Sequence, residues 1–397
     1  MSMLNLVAVN LGRKKLRTTL TMLSVFVAIF LFCTLQGILD TLESTIEVGS
    51  ESRLITRNAI SLVFDLPMAY KERLKAVPNV KSVSIQNWFG GQDPVNPKNF
   101  YPQFAVEAET FFPQYVAEMD IVDASPAQAA VDLPPGVDPK LASFMLERNA
   151  AVVGEKLMNK MGWKIGQTFA INGTIYPGSW EFVARAVYRP KNKSFGEETV
   201  FFHWKYLYEN SNQQARAGIF SLELTDPTHA ADVARQVDLL FENSSAQTKT
   251  ETERAFQAGF VSMFGNLPFV LGVIGFAVVF AILFVAANTM VMTVRERTAE
   301  IGAMKTLGFE DRAIFLMVLA EAAIITVGGG AAGAVFSKVL IEGSEFNAGG
   351  MLPVMTVNWS TIGMGIAIAL VIGAVSGLIP AVQAARLKIV DALRRVE

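Results

Sequence analysis

Four long apolar runs restrict what this chain can fold into. They lie at residues 18–40, 266–292, 313–341 and 360–385, and each is nearly free of charged side chains. A run of about 20 apolar residues matches the hydrocarbon thickness of a bilayer when it is helical. Because lipid offers the backbone no hydrogen-bond partner, a spanning segment of this kind has to satisfy its own polar groups as a helix. The runs therefore predict four transmembrane helices.

The composition agrees with a membrane protein that also carries a polar domain. The chain is 51% hydrophobic and 18% charged, with a mean hydropathy of +0.36. Soluble domains carry roughly 25% charged residues. The net charge of −2 lacks the basic field of a nucleic-acid binder, so no nucleic-acid partner is expected. The single cysteine, Cys33, excludes a disulfide within the chain.

Basic residues indicate how the spans are oriented. They concentrate before the first run, between the second and third, and after the fourth: Arg13, Lys14, Lys15, Arg17, Arg295, Arg297, Lys305, Arg312, Arg386, Lys388, Arg394 and Arg395. By the positive-inside rule these segments are cytoplasmic. We therefore expect a cytoplasmic amphipathic segment at 1–17, a cytoplasmic loop at 293–312 and a cytoplasmic tail at 386–397, with a short outer loop at 342–359.

The segment between the first two spans, residues 41–265, is predicted to be an extracytoplasmic domain. Its length of about 220 residues is enough to bury a core. Alternating strands and short amphipathic helices predict an α+β fold. A proline-rich turn suggests an inserted subdomain at about 133–200, so the domain would have two subdomains. The polar segments 41–51 and 246–258 are interpreted as helical stalks that extend the spans.

The sequence offers no catalytic constellation. It contains no Gly-x-x-x-x-Gly-Lys-Ser/Thr loop for ATP. The two histidines, His203 and His229, lack metal-ligand spacing, and Ser179 does not lie in a Gly-x-Ser-x-Gly elbow. We therefore predict no catalytic, cofactor-binding or metal-binding residue, and no enzyme activity in this chain.

Two features inside the third run call for an explanation. Glu321 is an ionisable residue within an apolar span, and such residues are costly and usually functional. It has either a structural or coupling role, or a role in relaying protons or substrate. Gly329 and Gly333 form a Gly-x-x-x-Gly pair that allows close helix approach. The pair serves either a contact within one bundle or a dimer seam.

The loop at 293–312 combines charge with an apolar stripe. Ile301, Met304 and Leu307 recur at helical spacing, and Gly308 is placed to end a helix. This pattern predicts a short amphipathic helix that docks a partner. The alternative is a solvated loop held by side-chain pairs four residues apart.

Several motifs resemble the MacB/FtsX-type ABC transporter permeases, a family that includes lipoprotein-releasing permeases. The loop motif is 295–308 (RERTAEIGAMKTLG), followed by 319–322 (LAEA). Similar short motifs occur near both ends of the chain and follow the family's order: 10–11 (NL), 15–18 (KLRT), 377–381 (GLIPA), 384–387 (AARL) and 391–394 (DALR). Residues 153–155 (VGE), with Gly162 and Gly166 downstream, resemble its extracytoplasmic core domain.

The resemblance implies a half-transporter that works as a dimer, with a second copy or a homologous permease. It implies that an ABC ATPase subunit dimer binds ATP and Mg²⁺, so this chain holds no cofactor. The family's mechanotransmission would pass ATP-driven motion to the outer domain. The implied ATPase-coupling residues are Arg295, Glu296, Arg297, Glu300, Ile301, Met304, Lys305, Leu307 and Gly308, and the implied intramembrane coupling or packing residues are Glu321, Gly329, Gly333 and Pro380.

This resemblance implies a multi-pass permease of the bacterial cytoplasmic (inner) membrane, with both termini cytoplasmic and the large domain periplasmic or extracellular. It would export or extract a lipid, lipoprotein, peptide or drug, with membrane lipid and an optional periplasmic adaptor as further partners. Since the sequence begins at the amphipathic segment, we expect the ATPase on a separate subunit. The alternative is an FtsX-like signalling subunit that activates an extracytoplasmic enzyme.

Overall fold

The computed structural model describes residues 14–97, 99–191, 196–212, 216–262, 265–344 and 355–388. Most of the predicted N-terminal segment 1–17, of the outer loop 342–359 and of the tail 386–397 lies outside these residues. The described chain divides into two compact units. The helical unit contains residues 14–40, 266–344 and 355–388, and the inserted domain contains the described residues between 41 and 265.

The helices and strands are numbered in chain order. The helices are α1 (Lys15–Val48), α2 (Tyr70–Lys75), α3 (Ala108–Tyr115), α4 (Ala142–Leu146), α5 (Glu155–Met161), α6 (Trp204–Asn210), α7 (Ala230–Phe241), α8 (Glu253–Ser262), α9 (Leu267–Glu296), α10 (Thr298–Thr306), α11 (Asp311–Ser344) and α12 (Trp359–Ala385). The strands are β1 (Arg53–Asn58), β2 (Val80–Trp88), β3 (Gly91–Gln92), β4 (Gln103–Val106), β5 (Met119–Ala124), β6 (Ala150–Gly154), β7 (Thr168–Gly173), β8 (Gly178–Pro190), β9 (Val200–His203), β10 (Ile219–Leu224) and β11 (Thr248–Thr252).

Four of the described helices are long and apolar enough to cross a membrane, as the sequence predicted. The candidate spans are Lys15–Ser44 of α1, Leu267–Glu296 of α9, Asp311–Gly343 of α11 and Trp359–Ala385 of α12. The second span continues beyond the predicted end at residue 292, because residues 293–296 contain neither proline nor glycine to end the helix. The predicted loop 293–312 therefore begins with the last turn of α9.

The two segments predicted as helical stalks differ in secondary structure. Helix α1 continues without a break to Val48, so the first stalk is helical over most of 41–51. The second prediction is wrong for residues 248–252, which form β11 and pair antiparallel with β1. Helix α8 begins only at Glu253. Three threonines alternate along β11, and β-branched residues favour a strand, which the stalk interpretation overlooked.

The described strands of the inserted domain form one mixed sheet. Its order is β11-β1-β10-β2-β4-β9-β6-β8-β7-β3, and β5 pairs with β8. Strand β6 lies in its interior and is buried along its whole length. Ala150 and Val152 of β6 face one core, while Ala151 and Val153 face the other. This alternation follows from the two-residue period of a strand.

The two faces of the sheet carry different helices. The larger core packs α2, α5, α6 and α7 on one face, and the smaller core packs α3 and α4 on the other.

The proposed subdomain at 133–200 is not set apart by this arrangement. Its strands β6, β7 and β8 continue the sheet through β9 and β4 to β2, because the backbone hydrogen bonds of neighbouring strands run across the proposed boundary.

Glycines allow the spans of the helical unit to approach closely. A Cβ at Gly329 would lie 2.4 Å from the Met22 carbonyl oxygen, and one at Gly333 would lie 2.4 Å from that of Phe26. The Gly-x-x-x-Gly pair of α11 therefore contacts the backbone of α1 in the same chain. The sequence left two interpretations open, a contact within one bundle and a dimer seam. This geometry corresponds to the contact within one bundle.

We predict that Gly333→Ala destabilises the helical unit by about 1–3 kcal/mol, because the added methyl group forces α1 away from α11. Gly343→Ala in the same helix is the matched control, since a Cβ there has no neighbour within 4 Å. Alanine is otherwise the better helix former, so the control is expected to keep or raise the melting temperature. Thermal unfolding in detergent measures both variants. Equal shifts would show that the close contact does not matter.

Candidate functional site

Helix α10 is a separate short helix between the second and third spans. It ends in a Schellman motif: the Phe309 N–H donates to the Met304 carbonyl at 3.1 Å, and the Gly308 N–H donates to that of Lys305 at 3.1 Å. Gly308 has φ of 92°, a left-handed conformation that glycine adopts at little cost. The motif therefore turns the chain sharply from α10 into α11.

One face of α10 packs against the spans. Ile301 is 2% exposed, and Gly302 is also buried. Ile301 and Met304 belong to an apolar cluster whose other members come from α9, α11, α12 and the segment just after α12: Val294, Ile314, Phe315, Val318, Ala381, Ala384 and Leu387. This packing holds α10 against three of the four spans.

The opposite face of α10 is exposed. We define the exposed face of α10 as Ala299, Glu300, Ala303, Thr306, Leu307 and the following Phe309. Leu307 is 78% exposed and Phe309 is 41% exposed. This face is mainly apolar, with Glu300 and Thr306 as its polar members, and an exposed apolar patch is typical of an interaction surface.

Arg297 connects α10 to the third span. It lies between α9 and α10, and its Nη1 donates to Glu321 Oε2 at 2.8 Å. Its Nε also donates to Glu300 Oε2 at 3.3 Å. The Arg297 and Glu321 side chains are 14% and 7% exposed. The guanidinium therefore compensates the carboxylate that the sequence placed inside a span.

Glu296 connects the end of α9 to the start of the first span. It accepts a hydrogen bond from Arg17 Nη1 at 2.8 Å and another from Lys14 Nζ. The partners are separated by about 280 positions, so this contact depends on the fold. It is more exposed than the Arg297–Glu321 pair, and such pairs contribute little stability by themselves.

Lys305 connects α10 to the end of the fourth span. Its Nζ donates to the Leu387 carbonyl at 2.9 Å and to the carbonyl of Ala385, the last residue of α12. It also pairs with Asp311 Oδ1 at 2.8 Å, and the Lys305 side chain is only 9% exposed. A cation at a helix C-terminus bonds the orphan carbonyls and complements the helix dipole.

The other end of α12 carries the complementary charge. Asp40 of α1 accepts a hydrogen bond from Thr361 Oγ1 at 2.7 Å and one from Asn358 Nδ2 at 3.4 Å. Asn358 and Thr361 belong to the N-terminal turn of α12. A carboxylate is favourable near a helix N-terminus for the same electrostatic reason.

A small polar cavity lies beside Glu321. Its volume is about 50 Å³, and its walls come from α1, α9, α10 and α11. The hydroxyl-bearing Thr18, Thr21 and Thr293 line it together with Arg17 and Arg297. It has room for a few water molecules, which an ionised side chain within a bundle requires.

The structure separates the nine proposed coupling residues into three groups. Four are exposed: Arg295, Glu300, Leu307 and Gly308. Four are turned towards the spans: Arg297, Ile301, Met304 and Lys305. Glu296 is exposed but bonded to the first span. Lys305 is turned away from the exposed face of α10, because carbonyl groups of the same chain and Asp311 bond its ammonium. Its assignment to the ATPase contact stays a prediction.

The exposed face of α10 also contains Ala299, Ala303 and Phe309, which the sequence analysis did not single out. The first two lie four residues apart and continue to Leu307 at the same spacing, which marks one helix face.

Pro380 is buried within α12, five residues before its end.

His203 has a structural environment. Its ring stacks on Phe144 at 4.1 Å, and its Nε2 bonds the Phe144 carbonyl at 2.8 Å. Burial lowers the pKa of His203, so the ring is neutral at neutral pH. Within the described part of the chain, no group of three or more His, Cys, Asp or Glu residues is placed to hold a metal ion.

We predict that Arg297→Met lowers stability by about 3–5 kcal/mol, because it leaves the Glu321 carboxylate buried without its cation. The double variant Arg297→Met with Glu321→Leu should recover most of this loss, since neither charge remains. Melting temperatures of the single and double variants in detergent give the coupling between the two sites. Additive losses would contradict a direct pair.

We also predict different effects for Lys305 and Glu300 in the isolated chain. Lys305→Met should lower the melting temperature by several degrees, because the carbonyls at the end of α12 lose their donor, at a cost of about 1–3 kcal/mol. Glu300→Gln should leave it almost unchanged, since exposed pairs are worth about 0–1 kcal/mol. If Lys305→Met is also neutral, the lysine does not stabilise the end of α12.

The chain matches two protein-family models. The MacB-like periplasmic core domain matches residues 18–240, which is more than half of the chain. The FtsX-like permease C-terminal region matches residues 272–389, which include most of the second span, α10 and the last two spans.

Curated relatives match parts of the chain. It is 33% identical to the macrolide export ATP-binding/permease protein MacB of Nitrobacter winogradskyi over 39% of this chain and 22% of that protein. It is 24% identical to the uncharacterized ABC transporter permease YknZ of Bacillus subtilis over 60% of this chain and 57% of that protein. It is 42% identical to the pyoverdine export ATP-binding/permease protein PvdT of Pseudomonas syringae over 27% of this chain and 16% of that protein. The chain thus spans less than two thirds of each relative.

Two solved structures align with about half of the chain. The periplasmic region of MacB from Actinobacillus actinomycetemcomitans aligns with a TM-score of 0.38 and 8% identity, covering 54% of this chain and 95% of that one. The extracellular domain of YknZ from Gram-positive bacteria aligns with a TM-score of 0.36 and 11% identity, covering 50% of this chain and 98% of that one. The two family matches, together with four candidate spans and an inserted α/β domain, identify the chain as a member of the MacB/FtsX-type ABC transporter permeases.

Proposed function

We propose that this permease is a half-transporter that receives the work of a separate ABC ATPase at the exposed face of α10 and transmits it to the inserted domain. The partner ATPase binds ATP and Mg²⁺, and this chain contributes neither catalytic residues nor a cofactor. The transmitted motion drives export or extraction of a substrate.

The observation that supports this proposal is the two-sided environment of α10. One side is connected to α11 by Arg297 and to α12 by Lys305, and the Glu296 carboxylate just before it is connected to α1. The other side is an apolar surface with one carboxylate, Glu300. A displacement applied to the exposed face would therefore reach every span.

The charge distribution supports a cytoplasmic position for this end of the helical unit. Lys14, Arg17, Arg295, Arg312 and Arg386 lie at the ends of spans on the side of α10. Under the positive-inside rule these ends face the cytoplasm, where ATP is available. The inserted domain is then extracytoplasmic, since it follows the first span.

The test is co-purification of the ATPase with a tagged chain from membranes of its source cells. We predict that Leu307→Glu or Ala303→Glu lowers the ATP hydrolysis in the eluate at least about tenfold, because a carboxylate buried in an apolar contact costs more than about 1.4 kcal/mol. Leu239→Glu is the matched control. Leu239 is also strongly exposed but lies in α7 of the inserted domain.

The variants should insert and melt like the unmodified chain, because both changed side chains are exposed. Retention of the ATPase by Leu307→Glu and Ala303→Glu would exclude the exposed face of α10 as its docking site. Absence of any ATPase from the unmodified eluate would contradict the proposed function itself.

A further inference from the structure

The two chain segments that lead to the first and second spans enter the inserted domain side by side. Strand β1 begins five residues after α1 ends, and β11 leads directly into α8, which precedes the second span. The two strands pair antiparallel, with Leu54 opposite Thr252. A relative movement of these two segments therefore acts first on the start of β1 and the end of β11.

Arg53, the first residue of β1, bonds the first residue of α8 at this place. Its Nε and Nη2 donate to Glu253 Oε2 at 2.9 and 2.7 Å. The Ser50 N–H donates to the same oxygen at 3.1 Å. The Arg53 and Glu253 side chains are 6% and 10% exposed, so solvent screens this pair little.

The same guanidinium also contacts α3 and the residue before β5. Its Nη1 donates to the carbonyl of Gln114 in the last turn of α3 at 2.7 Å, and its Nη2 donates to Glu118 Oε1, just before β5, at 2.5 Å. The guanidinium carbon lies 4.1 Å from the centre of the Tyr115 ring. One arginine thus bonds the first residue of α8, the end of α3 and the residue before β5.

Tyr115 closes this cluster. Its hydroxyl donates to Glu253 Oε1 at 3.0 Å. Burial and the Glu253 carboxylate raise the pKa of Tyr115, so the hydroxyl keeps its proton. Burial would lower the pKa of Arg53, but the charge of Glu253 and its neighbours raises it above its usual range. The cluster therefore keeps a charged arginine and a neutral tyrosine at neutral pH.

We propose that Arg53 is the positioning residue through which the two membrane-connected segments act on α3 and β5. Strands β1 and β11 already hold each other by backbone hydrogen bonds, and Tyr115 of α3 bonds Glu253 directly. Arg53 is the side chain that bonds α8, the end of α3 and the residue before β5 at the same time. The inference rests on the proposed function for its biological meaning, because it names where the transmitted motion enters the inserted domain.

A second ion pair on the same strands provides a matched control. Arg57 of β1 pairs with Glu251 of β11 at 3.3 Å, and both side chains are more than four-fifths buried. The other bond of Arg57 goes to the carbonyl of the neighbouring Asn58. Arg57 therefore joins β1 to β11 as Arg53 does, but its bonds do not extend to α3 or β5.

The test restrains β1 and β11 and measures the response of α3. Thr56 and Thr250 lie opposite each other with hydroxyl oxygens 3.0 Å apart, so Thr56→Cys with Thr250→Cys can form a disulfide. The native Cys33 is buried in the helical unit. Hydrogen–deuterium exchange of residues 108–118 is then measured in the full chain in nanodiscs, with the disulfide oxidised and reduced.

Oxidation should slow exchange in 108–118 by about threefold or more in the unmodified background and in Arg57→Met, because the restraint reaches α3 through Arg53. The slowing should fall to less than about half in Arg53→Met, since the Tyr115–Glu253 bond remains. It should fall equally in Arg53→Lys, which keeps the charge and the fold but cannot bond Glu253, Gln114 and Glu118 together. A response in either Arg53 variant as large as in the unmodified background would overturn the proposal.

This measurement needs no ATPase, so its failure is distinct from failure of the proposed function. A reduced response in Arg53→Lys, together with absence of a co-purifying ATPase, would support the positioning role of Arg53 and reject the proposed function. An ATPase that co-purifies, together with an undiminished response in Arg53→Lys, would support the proposed function and reject the positioning role of Arg53. The Arg53 variants should retain the ATPase at the unmodified level, because Arg53 lies in the inserted domain.

Discussion

The need to compensate the Glu321 carboxylate determines where α10 lies. A lone carboxylate inside a span is expensive, and the compensating charge has to come within hydrogen-bond reach. Arg297 supplies it at 2.8 Å. Since Arg297 separates α9 from α10, this one bond fixes the point at which the chain leaves the second span. The apolar side of α10 then faces the cluster around Ile301, and the exposed face of α10 has to point outward.

The fourth span is held by charge at both of its ends. Asp40 bonds its first turn, and Lys305 bonds the carbonyls at its last turn. Each charge has the sign that the helix dipole favours. Between these ends, Gly373 and Gly377 let α12 approach Ala322 and its neighbours on α11 closely. Glycine packing brings α11 and α12 together, while the terminal bonds tie α12 to α1 and α10.

Much of this architecture follows from local sequence pattern, whereas the site depends on distant pairs. The spans were predictable because apolar length is a property of a continuous segment. Strand β11 was missed because Thr248–Thr252 is polar on both faces and its β character depends on pairing with β1. The environment of Lys305 was not predictable, because two of its partners are carbonyls about 80 positions away, and a backbone carbonyl has no signature in the sequence. The exposed Ala303 and Leu307 were readable from helical spacing, but only Leu307 was identified.

The choice of cation in each cluster fits its geometry. At Arg53 and Arg297, one planar group bonds partners from separate elements, which a compact ammonium cannot do with the same directions. At Lys305 the partners converge on a single point, which suits an ammonium. Apolar residues could replace a buried ion pair with little loss of stability. Such a core would still fold, but it would lose the directional bonds that make separate elements move together. Stability alone therefore does not explain these arginines, whereas the proposed transmission of displacement would require them.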